Sequence, residues 1–200
     1  VYSLFPIYTE DTVRYLPEIM GKWETDSDYL TFEPASEIES ITVTSDNPEE
    51  DTKEISSSAF SDLNESLQNK FKSYKMTLSN KVDSSESFTF LAHLVEIGDD
   101  MFIDLYAWSG ENREDYRAAN LFPVHTFMKF RYSNNKLTLI HFKLSKLKDL
   151  FESNLIRIRH EMVDGEVMIT AQPKEIQKFL EKYAQDPTVL EKPSTYTRII

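Results

Sequence analysis

No cysteine occurs in this chain of 200 residues, which removes disulfides, thiol nucleophiles and thiolate metal sites. Glycine is scarce: Gly21, Gly98, Gly110 and Gly165 are the whole set, and no two lie close enough together to build a phosphate-cradling loop. Gly-x-Ser-x-Gly is absent too. The four histidines show neither the His-x-x-x-His nor the His-Glu-x-x-His spacing of zinc sites. No apolar run approaches the roughly 18 residues of a spanning helix. Excess positive charge is missing as well. The formal charge is -12, all of it contributed by the first 70 residues, and phosphate binding relies on clustered Lys and Arg, so nucleic acid is not an expected partner. The chain opens at Val1 rather than Met, which leads us to expect the loss of a signal peptide, with a cytosolic fragment as the plainer alternative.

What the chain does contain is alternation. Residues 87–142 hold four strand-like segments separated by short turns or one short loop, the pattern of an antiparallel meander that curls into a barrel or strongly bent sheet. Residues 1–20, broken by Pro6 and Pro17, read as an extended arm or tether ahead of a single barrel-like domain over 21–200. An acidic insertion spans about 35–70, with a strand-like stretch at 38–44. Phe60, Leu63, Leu67 and Phe71 fall at helical spacing. Segments 145–152 and 174–184 are amphipathic helices, the second opened by Pro173. A hairpin turns at Asp164-Gly165, and residues 195–200 alternate as a returning edge strand.

A two-residue loop at Gly98-Asp99 sets His93 opposite Asp104, whereas one at Asp99-Asp100 sets it opposite Tyr106. Either register puts His93, Phe102, Asp104 and Tyr106 on one face and leaves Met101, Ile103, Leu105 and Ala107 as core. A type I′ turn at Asn134-Asn135 places His141 opposite Met128 and turns His125 to the other face. A three-residue loop would bring the two histidines together.

These registers define the chemical candidates. His93 with Asp104 has the form of the base and orienter of a triad, but no serine stands out as nucleophile, and a buried pair supporting the barrel interior is the structural reading. His93, His125 and Asp104 could converge on a metal only across a strongly curled sheet. His160 reads as a core histidine. Trp23, Trp108, Tyr106 and Phe127 are either core or the lining of an apolar pocket. The residues carried forward as ligand-binding candidates are His93, Asp104, Tyr106, His125 and Phe127, with no catalytic, metal or cofactor assignment and a non-enzymatic reading.

At Gly21-Lys22-Trp23, preceded by a proline-containing arm and followed by a meander, the chain resembles a lipocalin or calycin barrel. That resemblance implies that Arg198 is the late basic residue packing on Trp23. It makes the expected fold mainly β, a lipocalin-like or partly open barrel with two or three helices. Residues 3–11 (SLFPIYTED) and 122–127 (FPVHTF) are similar to uncharacterised lipoproteins of the Bacteroidetes type. This second resemblance implies an exported protein of the bacterial cell envelope, lipid-anchored at the outer membrane or periplasmic face through a Cys ahead of Val1. It implies no activity. The expectations are a small lipophilic or amphipathic ligand in the barrel or, alternatively, a structural or protein-interaction role with an envelope partner and no ligand cavity.

Overall fold

The computed structural model describes residues 2–35, 40–43, 53–56, 73–83, 87–107, 124–153 and 155–199. The helical spacing at 60–71, and with it Trp108, lies outside the described residues. In chain order the strands are β1 (Tyr2–Ser3), β2 (Val13–Arg14), β3 (Gly21–Glu24), β4 (Asp28–Pro34), β5 (Ser40–Val43), β6 (Lys53–Ser56), β7 (Tyr74–Asn80) and β8 (Ser87–Ile97). They continue with β9 (Asp100–Ala107), β10 (His125–Ser133), β11 (Lys136–Ile140), β12 (His160–Val163), β13 (Glu166–Ile169) and β14 (Ser194–Arg198). Helix α1 (Leu144–Glu152) precedes β12, and helix α2 (Pro173–Tyr183) precedes β14.

Eight of these strands, β3, β4, β7, β8, β9, β10, β11 and β14, pair antiparallel in chain order, and β14 returns to β3 to close a lipocalin-like barrel. β14 is therefore no edge strand, because β11 holds one of its sides and β3 the other. β5 and β6 form a separate two-stranded sheet at 40–43 and 53–56. Both tight turns have the expected form: Gly98 takes φ 59° between Ile97 and Asp100, and Asn134 and Asn135 take φ 50° and 56°. Asp164 and Gly165 turn the β12–β13 hairpin in the same way, at φ 51° and 82°.

The period of two then sorts the side chains. Trp23, Leu30, Phe32, Tyr74, Leu94, Ile103, Phe130 and Leu137 point inward and are all at most 1% exposed, so the bore at this level is core rather than cavity. Residues 15–20 stopper the end of the barrel at which β3 begins. The Trp23 indole N–H donates to the Ile19 carbonyl (2.8 Å) within the 3-10 turn Pro17–Ile19, and the Leu16 N–H donates to the Tyr74 hydroxyl (2.6 Å). The Arg198 guanidinium lies 4.3 Å from the Trp23 ring centroid and donates to the carbonyls of Met20 and Glu18. Gly21 sits at φ 111°, where only glycine is unstrained, and a Cβ there would come within 3.2 Å of the same guanidinium.

The outer wall of β8, β9 and β10 is also apolar and needs its own cover. A second core joins Val95, Phe102 and Phe127 of that wall to Ile7 of the arm, Leu147 and Phe151 of α1, Ile169 of β13 and Ile176, Phe179 and Leu180 of α2. The last three fall at i, i+3 and i+4, the spacing that makes one helix face apolar. At the other end of α2, buried Lys129 (1% exposed) donates to the Ala184 carbonyl (3.0 Å) and pairs with Asp100 at 2.7 Å, so its charge is compensated and the helix terminus is tied to the wall.

Replacing Trp23 by Ala removes the ring that holds the stopper and leaves a cavity, so it should cost about 3–5 kcal/mol in chemical denaturation. An unchanged midpoint would contradict this role.

Candidate functional site

The outer face of β8–β10 brings four of the five candidate residues together. His93 pairs with Asp104, as the Gly98-Asp99 turn dictates, and across the β9–β10 ladder Tyr106 pairs with His125. Phe127 follows two residues further along the same face of β10. The cluster lies on the outside of the barrel, so it supports the docking of the arm and not the barrel interior as expected from sequence. Trp23 is in the bore whereas Tyr106 and Phe127 are on the outer wall, so these three do not line one pocket.

Asp104 is fully buried and bridges the arm to the wall. Its Oδ1 accepts from His125 Nδ1 at 2.7 Å, and its Oδ2 accepts the Ile7 backbone N–H at 2.9 Å. The carboxylate thus engages His125 and not His93, which undoes the base-and-orienter pairing read from the register. Tyr8 instead covers His93, with ring centroids 4.2 Å apart, and His93 Nδ1 is buried without a hydrogen-bond partner. Burial pulls the His93 pKa down to about 4, against the opposing pull of Asp104. The Tyr8 hydroxyl is pushed up to about 12 by burial, with Asp104 adding to it. Gln177 of α2 locks the arm from above by donating to the Ile7 carbonyl at 2.9 Å. No serine hydroxyl bonds to either imidazole among the described residues: buried Ser3, opposite His125, donates its Oγ to the Phe5 carbonyl. Nor do three metal-ligating side chains converge among them.

The two-residue turn gives the expected register as far as Lys129 with Ile140, where the ladder ends, so His141 lies one residue beyond it and has no partner on β10. His160 is half-buried, its ring centroid 4.5 Å from that of Phe151 and its Nδ1 bonded to the Ile158 carbonyl.

Phe127 belongs to a different feature. β11 accompanies β10 only as far as Lys129, and the rest of β10 takes β1 as its partner at Ser3 with His125. β10 therefore forks, and a cleft of about 530 Å³ opens between the branches. Its walls include Tyr2, Phe127, Phe142 and Leu144, with His141, Ser145 and Glu191 as polar groups. Phe127 and Phe142 meet edge to face at 6.0 Å. The loss of hydration around His141 lowers its pKa, against the opposing pull of Glu191. Tyr2, Tyr8, His141 and Glu191 were not among the sequence candidates. Nothing local marks Tyr2, Tyr8 or Glu191, because the arm and the segment before β14 reach the site only through long-range docking.

The fold and these features define a closed lipocalin-like barrel with a decorated outer wall and a cleft where one barrel strand forks. No family model, curated protein or solved structure matches this chain.

The His93 shift fixes a direction. An unfolded histidine takes its proton near 6.5 but the folded one only near 4, so the stability present above pH 6.5 falls as pH drops through that window. The loss attributable to this group is roughly 3 kcal/mol. His93→Leu should flatten that part of the pH profile of urea unfolding. A variant profile parallel to the wild type would show that His93 is not the group responsible.

Proposed function

We propose that this protein is a non-enzymatic binding module of the bacterial cell envelope that takes a small amphipathic molecule in the fork cleft. The observation that carries the reading is the cleft itself. Its volume of about 530 Å³ falls in the range of small-molecule sites, and it sets apolar walls beside a few polar groups. A chain or ring would lie against Phe127, Phe142 and Leu144, with its polar end toward His141, Ser145 and Glu191. The bore is a poorer candidate, since its described inward side chains pack against one another from Trp23 to Leu105. In this account the barrel is a rigid frame, and Asp104, His93, Tyr106 and His125 hold the arm that supplies Tyr2 to the cleft. The envelope location and an N-terminal lipid anchor rest on the resemblance to Bacteroidetes-type lipoproteins, and the acidic charge agrees with a module that avoids nucleic acid.

A second reading, a structural or protein-interaction component of the envelope, is favoured by the same packed bore. Native mass spectrometry after exposure to an envelope lipid extract separates the two. A discrete, competable adduct that is weakened in Leu144→Glu but kept in Lys178→Glu, Lys182→Glu is expected from the cleft; Leu144 is half exposed, so the change spares the fold. Bare protein throughout would abandon the cleft reading in favour of a protein partner.

A further inference from the structure

Across α2 from the arm, a second cavity of about 480 Å³ lies between residues 155–158 and the outward side of the helix, and it shares no residue with the fork cleft. Its composition runs against that of the protein. In a chain of net charge -12, Arg157, Lys178 and Lys182 all border this one cavity. Its one acidic lining residue, Glu175, is already engaged by Arg159 at 2.6 Å and by the Gln172 N–H at 3.1 Å. Arg157, Lys178 and Lys182 make no ion pair with a described residue. The local field here is positive.

The apolar half of the cavity is equally ordered. Lys178 and Lys182 stand four apart on α2, as do Phe179 and Tyr183 beside them, so the helix presents a cationic stripe next to an aromatic one. The two rings are 5.1 Å apart, Ile158 is half-buried against them, and Ile156 forms a buried part of the lining. Leu155 at the rim is 63% exposed. Inorganic anions would use only the first stripe and neutral hydrocarbons only the second.

We infer that this cavity binds an amphipathic anion, its carboxylate or phosphate head between Arg157, Lys178 and Lys182 and its chain or ring against Ile158, Phe179 and Tyr183. The head gains charge-assisted hydrogen bonds from exposed cations, of which Lys182 lies 5.1 Å from the Tyr183 ring centroid, and the tail covers half-buried Ile158 and Tyr183 above buried Phe179. A free fatty carboxylate and an anionic lipid headgroup share this chemistry.

Calorimetric titration of the full chain with decanoate tests the site, with decyltrimethylammonium and inorganic phosphate as controls that each keep one half of the ligand. Decanoate should bind, more weakly as salt is raised, and both controls should bind at least about tenfold less tightly. The double variant Lys178→Glu, Lys182→Glu should lose about tenfold or more in affinity, while the cleft variant Leu144→Glu should keep it. Thermal melts followed by circular dichroism check that both remain folded. Co-sedimentation with phosphatidylglycerol vesicles that the double variant loses would assign the headgroup as source, whereas decanoate binding without co-sedimentation would assign a free acyl anion. Equal binding of decyltrimethylammonium, wild-type affinity in the double variant, loss of decanoate binding in Leu144→Glu, or no binding of decanoate or vesicles would overturn the inference.

Discussion

A meander of eight strands becomes a barrel only if its last strand finds both free edges, and here β14 does so, pairing Tyr196 with Leu137 of β11 and Arg198 with Trp23 of β3. The contact between Arg198 and Trp23 is where that closure is made specific. The guanidinium stacks on the indole and ties down the carbonyls of Glu18 in the 3-10 turn and of Met20 just after it, while the indole N–H takes that of Ile19. Without it the carbonyls of Glu18, Ile19 and Met20 in the stopper would lose their side-chain donors. Gly-x-Trp at the start of β3 and an arginine at the end of β14 are thus one device, split by nearly the whole chain.

Closure has a second consequence. A small barrel fills its bore with its own side chains, so the alternate residues of β8, β9 and β10 face outward, and many of them are apolar. The protein covers that face with the arm, two helices and the β12–β13 hairpin. Both cavities lie within or beside this cover. The polar groups on the wall have structural tasks in it: Asp104 anchors the arm through Ile7, and Lys129 anchors α2 through Ala184. A fully buried carboxylate with two donors and a buried lysine with an acid and a carbonyl are the compensated forms in which such charges survive burial.

Much of this was legible residue by residue. The Gly98-Asp99 and Asn134-Asn135 turns, where positive φ is needed, led directly to the register of His93 with Asp104 and to that of β10 with β11 as far as Lys129 and Ile140. Gly21, Trp23 and Arg198 pointed to one another through a known barrel pattern. Strand β7 was missed although Tyr74, Met76 and Leu78 alternate and Asn80 turns the chain after them, because it follows directly on the acidic insertion. Parity along a strand also cannot say which face of a closed sheet is inside. His93 and Asp104 shared a face as expected, but only the packing of Ile103 and Leu105 into the bore reveals that this face is the outer one. The fork in β10 had no sequence signal, since it arises where β11 ends and β1 arrives from more than a hundred residues away.

The central claim is that this barrel offers its outer wall, and not its bore, to other molecules. Methyl chemical-shift mapping during titration with an envelope lipid extract addresses it directly. The account predicts shifts at Met128 and Leu144 beside the fork, or at Ile156 and Ile158 beside α2, with Leu30, Leu94 and Leu137 unmoved. Shifts centred on those three bore residues would place the ligand inside the barrel and contradict it.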